Sequence, residues 1–284
     1  MIRAHHVIDD LEKLKFFYED EGLDSIRIDA LIKLIKSSQK FKFGTYNKMI
    51  DMFSKKSLKE TVIFQGEKAK RYKFPYALCW FEYDGWETDQ HCVLVLYSHE
   101  KREFTAWFFF KSPKTKSYWV LQPLGVNMGI GQNLEGQDSN ICIINTWNSK
   151  GRSINDYADD EIDHAVRCPC QFLEMALRLF CCKNIGTVYV EPPEKLQKKR
   201  AKKGKKPLFR YHTLILKPVG KRQKSLAAQG LWSQAVSTTM GHDRHYPPPG
   251  LFGKYPGTFW IQPYTRGKKK EGIVHKDYDV TRMV

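Results

Sequence analysis

The spacing of apolar residues changes once along this chain, near residue 72, and that change restricts what it can fold into. Before it, Ile8, Leu11, Leu14 and Tyr18 trace one stripe, and Ile28, Leu31, Ile32 and Ile35 trace another. Both have the spacing of an amphipathic helix. A further short helix is predicted over 46–53. After the change, segments 76–83, 91–97, 103–111, 117–121 and 140–147 are rich in β-branched and aromatic residues and are punctuated by Asp84-Gly85 and other polar turns. These read as strands, and their short connections favour an antiparallel meander. Trp107, Phe108, Phe109 and Phe110 are apolar at consecutive positions, as in a strand covered on both faces.

The helical period returns over 158–183, where Ala165, Phe172, Met175, Ala176, Leu179 and Phe180 share a broad face. Pro169 lies within that span and is expected to divide or kink it. Strands follow at 187–191 and 210–217. The fold class is therefore α+β: a helical N-terminal region, a central and mostly antiparallel β-sheet, a helix, and a basic β-rich C-terminal region. The boundaries fall at 1–64, 65–190 and 191–284. Strands before and after residue 191 are able to share one sheet, so the last two regions either abut or form one compact unit.

Charge divides the chain differently. The whole sequence carries a net charge of +16, and residues 191–284 alone hold 21 Lys+Arg against 6 Asp+Glu. A positive field so localised is a statement about partners. Residues 192–209 hold 8 Lys+Arg and one Glu between prolines, and this composition reads as a mobile, exposed arm. Clustered cations neutralise phosphates and release counterions without reading sequence. The backbone-contacting residues expected here are Lys198, Lys199, Arg200, Lys202, Lys203, Lys205, Lys206 and Arg210.

A second constellation follows in Gly241-His242-Asp243-Arg244-His245-Tyr246, ahead of a turn predicted at Pro247-Pro248-Pro249-Gly250 and an aromatic strand at 258–261. Alternation along a strand puts His242, Arg244 and Tyr246 on one face, and Asp243 and His245 on the other. Arg on phosphate with Tyr or His on a base is binding equipment. The same trio suits a metal-independent nuclease, with imidazole moving a proton and guanidinium stabilising charge on phosphate. His242, Arg244 and Tyr246 are the catalytic candidates on that reading. Trp260, Tyr264, Arg266, Lys268, Lys269 and Lys270 extend the aromatic and cationic surface, although core packing is an equal claim on Trp260.

Other chemistry is poorly supported. The glycines of 125–136 lack the Gly-Lys-Ser/Thr ending of a phosphate loop, so this segment reads as a mobile connection. Among seven cysteines, Cys168 and Cys170 are too close for the common zinc knuckle, and Cys181 and Cys182 are adjacent on a helix. They read as buried reduced thiols. No metal and no cofactor is expected. No stretch is apolar enough to cross a bilayer and the N-terminus lacks a signal-peptide pattern, so the expectation is a cytoplasmic protein without a membrane partner.

The C-terminal pattern also resembles a family of bacteriophage and prophage proteins with no established activity. The matching residues are Gly241-His242, Arg244, Tyr246, Leu251-Phe252-Gly253, Gly257-Thr258, Trp260, Arg266-Gly267, Gly272, Val274, Lys276-Asp277-Tyr278 and Val280. Where that pattern commonly carries an Arg before the Gly-His pair this chain has Met240, which leaves Arg244 as the main cation. The resemblance implies a role in the cytoplasm of an infected bacterial host. Charge and side chains then lead to a nucleic-acid-binding protein contacting DNA or RNA. The alternatives are a metal-independent ribonuclease-like enzyme using His242 and Arg244, and an adaptor for an acidic host protein.

Overall fold

The computed structural model describes residues 3–20, 25–52, 71–85, 89–111, 118–130, 141–145, 154–158, 162–216, 237–239, 241–262 and 264–266. Eight strands form its main sheet: β1 (Gln39–Thr45), β2 (Leu78–Asp84), β3 (Gln90–Ser98), β4 (Glu103–Lys111), β5 (Val120–Gly129), β6 (Ile141–Asn145), β7 (Ile185–Val190) and β8 (Tyr211–Leu216). Their spatial order is β6-β5-β4-β3-β2-β1-β8-β7. β1 runs parallel to both of its neighbours, and the other pairs are antiparallel. The protein is α+β, with β2–β6 forming the meander. β8 lies in the same sheet as the meander strands, and so does β1 from the N-terminal region.

Each face of the sheet is covered. On one, α1 (Ala4–Lys13), α2 (Lys15–Asp20) and α3 (Ser25–Ser37) bury their stripes against Trp80, Leu94, Phe109, Trp119 and Leu121. On the other, α5 (Cys168–Phe180) covers Phe43, Phe81, Tyr83, Val95 and Phe108, with α4 (Tyr46–Met52) beside it. Consecutive Phe108 and Phe109 thus enter opposite cores, which explains the unbroken apolar run in β4. Each such side chain contributes roughly 1.5–3 kcal/mol through burial.

Two sequence expectations are corrected, and the division expected at Pro169 is seen. β1 was hidden in a stretch read as helical, because Lys40 and Lys42 alternate with Phe41 and Phe43 and the lysines disguised a strand period. Lys40 is in fact buried, and its Nζ donates to the Ile35 and Ser38 carbonyls at 2.8 Å each, at the C-terminal end of α3. A cation there meets the negative end of the helix dipole. The glycine segment is strand as far as Gly129, since β4 and β6 satisfy the backbone of β5 on both sides. Its remaining residues, 131–136, lie outside the described ones. Pro169 stands in the first turn of α5, where its missing N–H costs no helical bond, and a π-helical turn over Asp163–Arg167 precedes it.

Glu82, fully buried on β2, mirrors Lys40. It accepts hydrogen bonds from the backbone N–H of Arg3 at 2.7 Å and Ala4 at 2.9 Å, and from Trp80 Nε1 at 2.8 Å. The carboxyl therefore sits at the N-terminal end of α1 and ties that helix to the sheet.

Candidate nucleic-acid interface

The basic segment, expected to be a mobile, exposed arm, contains a helix. Glu194–Ala201 forms α6, with Glu194 in the first turn and Lys198, Lys199 and Arg200 in the last, which matches the helix dipole at both ends. Glu, Lys, Leu, Gln and Ala are all good helix formers, so the local preference was present. The return to β8 is pinned. Gln197 Nε2 donates to the Leu208 carbonyl and Leu208 N–H to Gln197 Oε1, each at 2.9 Å, and Arg200 Nε donates to the Lys206 carbonyl. Leu208 is buried beneath the segment. Lys206 reaches α1, where it pairs with Glu12 and Asp9. This pairing ties the segment to the helical layer. Lys198, Lys199, Lys202, Lys203, Lys205 and Arg210 remain exposed.

The His/Arg constellation forms a hairpin from β10 (His242–Leu251) and β11 (Tyr255–Ile261), after a short strand β9 (Ser237–Thr239). The prolines do not make the turn. They sit in β10 where its pairing with β11 is interrupted, between Tyr246 and Leu251, as suits residues lacking an N–H. The chain reverses over Phe252 to Lys254. Gly250 has φ of 93°, and a Cβ there would fall 2.2 Å from the backbone at Tyr255 and Pro256, so only glycine lets the strands close.

The two faces of β10 do different work. Asp243 points inward to Arg178 of α5, with Nε to Oδ1 at 3.2 Å and side chains 11% and 2% exposed. His245 pairs with Thr258 Oγ1 at 3.1 Å on that same side. On the other side Arg244 is exposed and lies over the Tyr246 ring at 5.1 Å, with His242 two residues earlier. Trp260 is buried and packs with the α5 core, so it offers no surface ring. Its backbone exchanges hydrogen bonds with the Asn184 side chain at 2.7 Å each way, and Lys183 N–H donates to the Thr258 carbonyl. These bonds fasten the hairpin beside the start of β7. Tyr264 is exposed on β12 (Tyr264–Arg266), which pairs with β9, while Lys268, Lys269 and Lys270 lie outside the described residues.

β7 is one edge strand of the sheet and connects the two elements. The hairpin is held at Asn184, just before its start. Its far end leads into α6, and there Arg210 lies over the exposed Tyr189 ring at 5.0 Å. An Arg-on-Tyr pair thus occurs in each element, Arg210 on Tyr189 at this end of the strand and Arg244 on Tyr246 in the hairpin. An Arg poised on an aromatic face presents its guanidinium to phosphate, or its plane to a base.

Sequence reasoning missed Tyr189, His212 and Tyr76. His212 is buried against Phe41 at 4.8 Å and Tyr189 at 4.0 Å. Burial foremost, then the Arg210 charge, lowers its pKa. Among the described residues, no group of three or more His, Cys, Asp or Glu side chains converges as a metal site, and no helix is long and apolar enough to cross a membrane. Cys170 is buried, and burial pushes its thiol well above the usual range. Comparison with protein-family models, with curated proteins and with solved structures finds no match for this chain.

Proposed function

We propose that this protein binds nucleic acid, with the exposed lysines of α6 and the turn after it on backbone phosphates and the Arg210–Tyr189 and Arg244–Tyr246 pairs on the same strand. The observation that carries this reading is α6 itself. Five exposed lysines, Lys198, Lys199, Lys202, Lys203 and Lys205, share one turn-and-helix segment, and the one acid in the sequence of 192–209, Glu194, is paired to Lys198. The C-terminal resemblance to phage proteins adds a setting, the cytoplasm of an infected bacterial cell.

Changing those five lysines to Gln spares Gln197, Arg200 and Lys206, which hold the segment in place, so the fold is expected to survive. Affinity for DNA and RNA falls, and each lost phosphate contact flattens the log–log salt dependence by roughly 0.7–0.9. Binding titrations across a salt series measure this. An unchanged slope on both polymers contradicts backbone contact by α6. Cleavage of the bound strand by wild type, persisting in EDTA and lost in His242→Ala, would replace binding with catalysis at the hairpin.

A further inference from the structure

A single cross-strand row of rings runs through the sheet, and it ends in the open. Phe81 of β2 pairs in register with Phe41 of β1, Phe41 with His212 of β8, and His212 with Tyr189 of β7. Successive ring centroids lie 5.4, 4.8 and 4.0 Å apart. Phe180 of α5 covers the inner end, lying 5.0 Å from Phe41 and 6.2 Å from Phe81. Beyond α5 the cover stops, and exposure rises from 2% at His212 to 47% at Tyr189. Tyr76, 39% exposed, lies over the same stretch, 6.1 Å from Phe41 and 5.9 Å from His212. His212 Nδ1 is buried with no hydrogen-bond partner among the described residues.

Half-exposed Tyr189 and Tyr76 rings at the end of a stacked row, with the Arg210 guanidinium over Tyr189 as a second flat stacking surface and a lysine-rich helix beside them, match the chemistry of one ligand. A flat, partly apolar ring is wanted on Tyr189 and Tyr76, and an anion on Arg210 and α6. We propose that Tyr189 and Tyr76 form a stacking site for unpaired bases, so that the chain prefers single-stranded nucleic acid to duplex. This rests on the nucleic-acid reading above and adds the substrate class. In a duplex the base faces are already stacked on one another, and only phosphates and groove edges reach the protein. In a single strand each base offers a face to an aromatic side chain, whatever its identity. Stacking of this kind tolerates both DNA and RNA, so the probes include each.

The test uses fluorescence anisotropy on the full chain with a labelled strand of about 16 nucleotides. It is supplied as single-stranded DNA, as single-stranded RNA and as a DNA duplex. Wild type is expected to bind both single strands at least about tenfold more tightly than the duplex. Tyr189→Ala and Tyr76→Ala are each expected to weaken single-strand binding by about tenfold, and by more than they weaken duplex binding. Tyr189→Phe keeps the ring and retains wild-type affinity. Equal affinity of wild type for duplex and single strand, or single-strand binding by Tyr189→Ala equal to wild type, overturns the stacking site. The two readings fail separately. If the α6 lysine variant loses affinity while Tyr189→Ala does not, backbone binding stands and the base site is wrong. If no probe binds wild type, the nucleic-acid reading itself is wrong.

Discussion

Asp243→Ala is expected to destabilise the protein by about 3–5 kcal/mol, whereas Arg244→Ala, one residue along the same strand, costs under about 0.5 kcal/mol. Asp243 is the carboxylate that meets the buried Arg178 guanidinium, and its removal leaves a charge in the core without that partner. The same change loosens the hairpin from α5, leaving Asn184 and Lys183 to hold it. Arg244 lies over Tyr246 at the surface and holds nothing in place. Its loss is expected to lower nucleic-acid affinity instead. Urea denaturation and binding titrations on the two variants therefore give opposite rankings. Similar, small stability losses in both would show that the inward and outward faces of β10 are assigned wrongly.

The second large effect is one of pH. Burial raises the Glu82 carboxyl from 4.5 to about 7, outweighing the hydrogen bonds from Trp80, Arg3 and Ala4 that favour its charged form. Between those two pH values the folded chain holds a proton that the unfolded chain has lost, so the contribution of Glu82 to stability falls as pH rises through that window. A difference of that size corresponds to about 3 kcal/mol. Gln at this position does not titrate. The stability of Glu82→Gln relative to wild type is thus expected to rise by about 3 kcal/mol across the window, as read by urea denaturation at its two ends. A flat difference would mean that the carboxyl ionises normally in the fold. Lys40 acts in a separate range, since burial lowers its pKa to about 8 and its protonation is the same in folded and unfolded chains below that.

Much of the fold was legible because local spacing carries it. The stripes of α1 and α3, the meander and the apolar run of β4 all follow from period and residue type. β1 was missed for a physical reason: its two lysines alternate with Phe41 and Phe43, and pattern reading counts a lysine as exposed. Lys40 violates that rule because three carbonyls at the end of α3 and its neighbouring turn accept its protons. α6 was missed for the opposite reason, since charge density was read as disorder although every residue from Glu194 to Ala201, behind Pro193 at the cap, favours helix.

The site was less legible. Alternation correctly separated Asp243 and His245 from Arg244 and Tyr246, because it needs only neighbours in sequence. The row Phe81–Phe41–His212–Tyr189 needs the register of four strands that are far apart in sequence, and no local pattern contains that. His212 and Tyr189 read as ordinary strand residues until β1 is placed between β2 and β8. Trp260 illustrates the converse, an aromatic in a basic neighbourhood that turns out to be core because Asn184 draws its backbone inward.

Photo-crosslinking tests the central claim most directly. The full-length protein is irradiated with a single strand carrying a photoreactive pyrimidine, and the adducts are mapped by mass spectrometry. The account predicts adducts on the β7–α6–β8 surface, at Tyr189 and at Tyr76 first, with yields that fall as salt is raised. Adducts confined to the helical face of α1 to α3, or none on any strand tested, would contradict it.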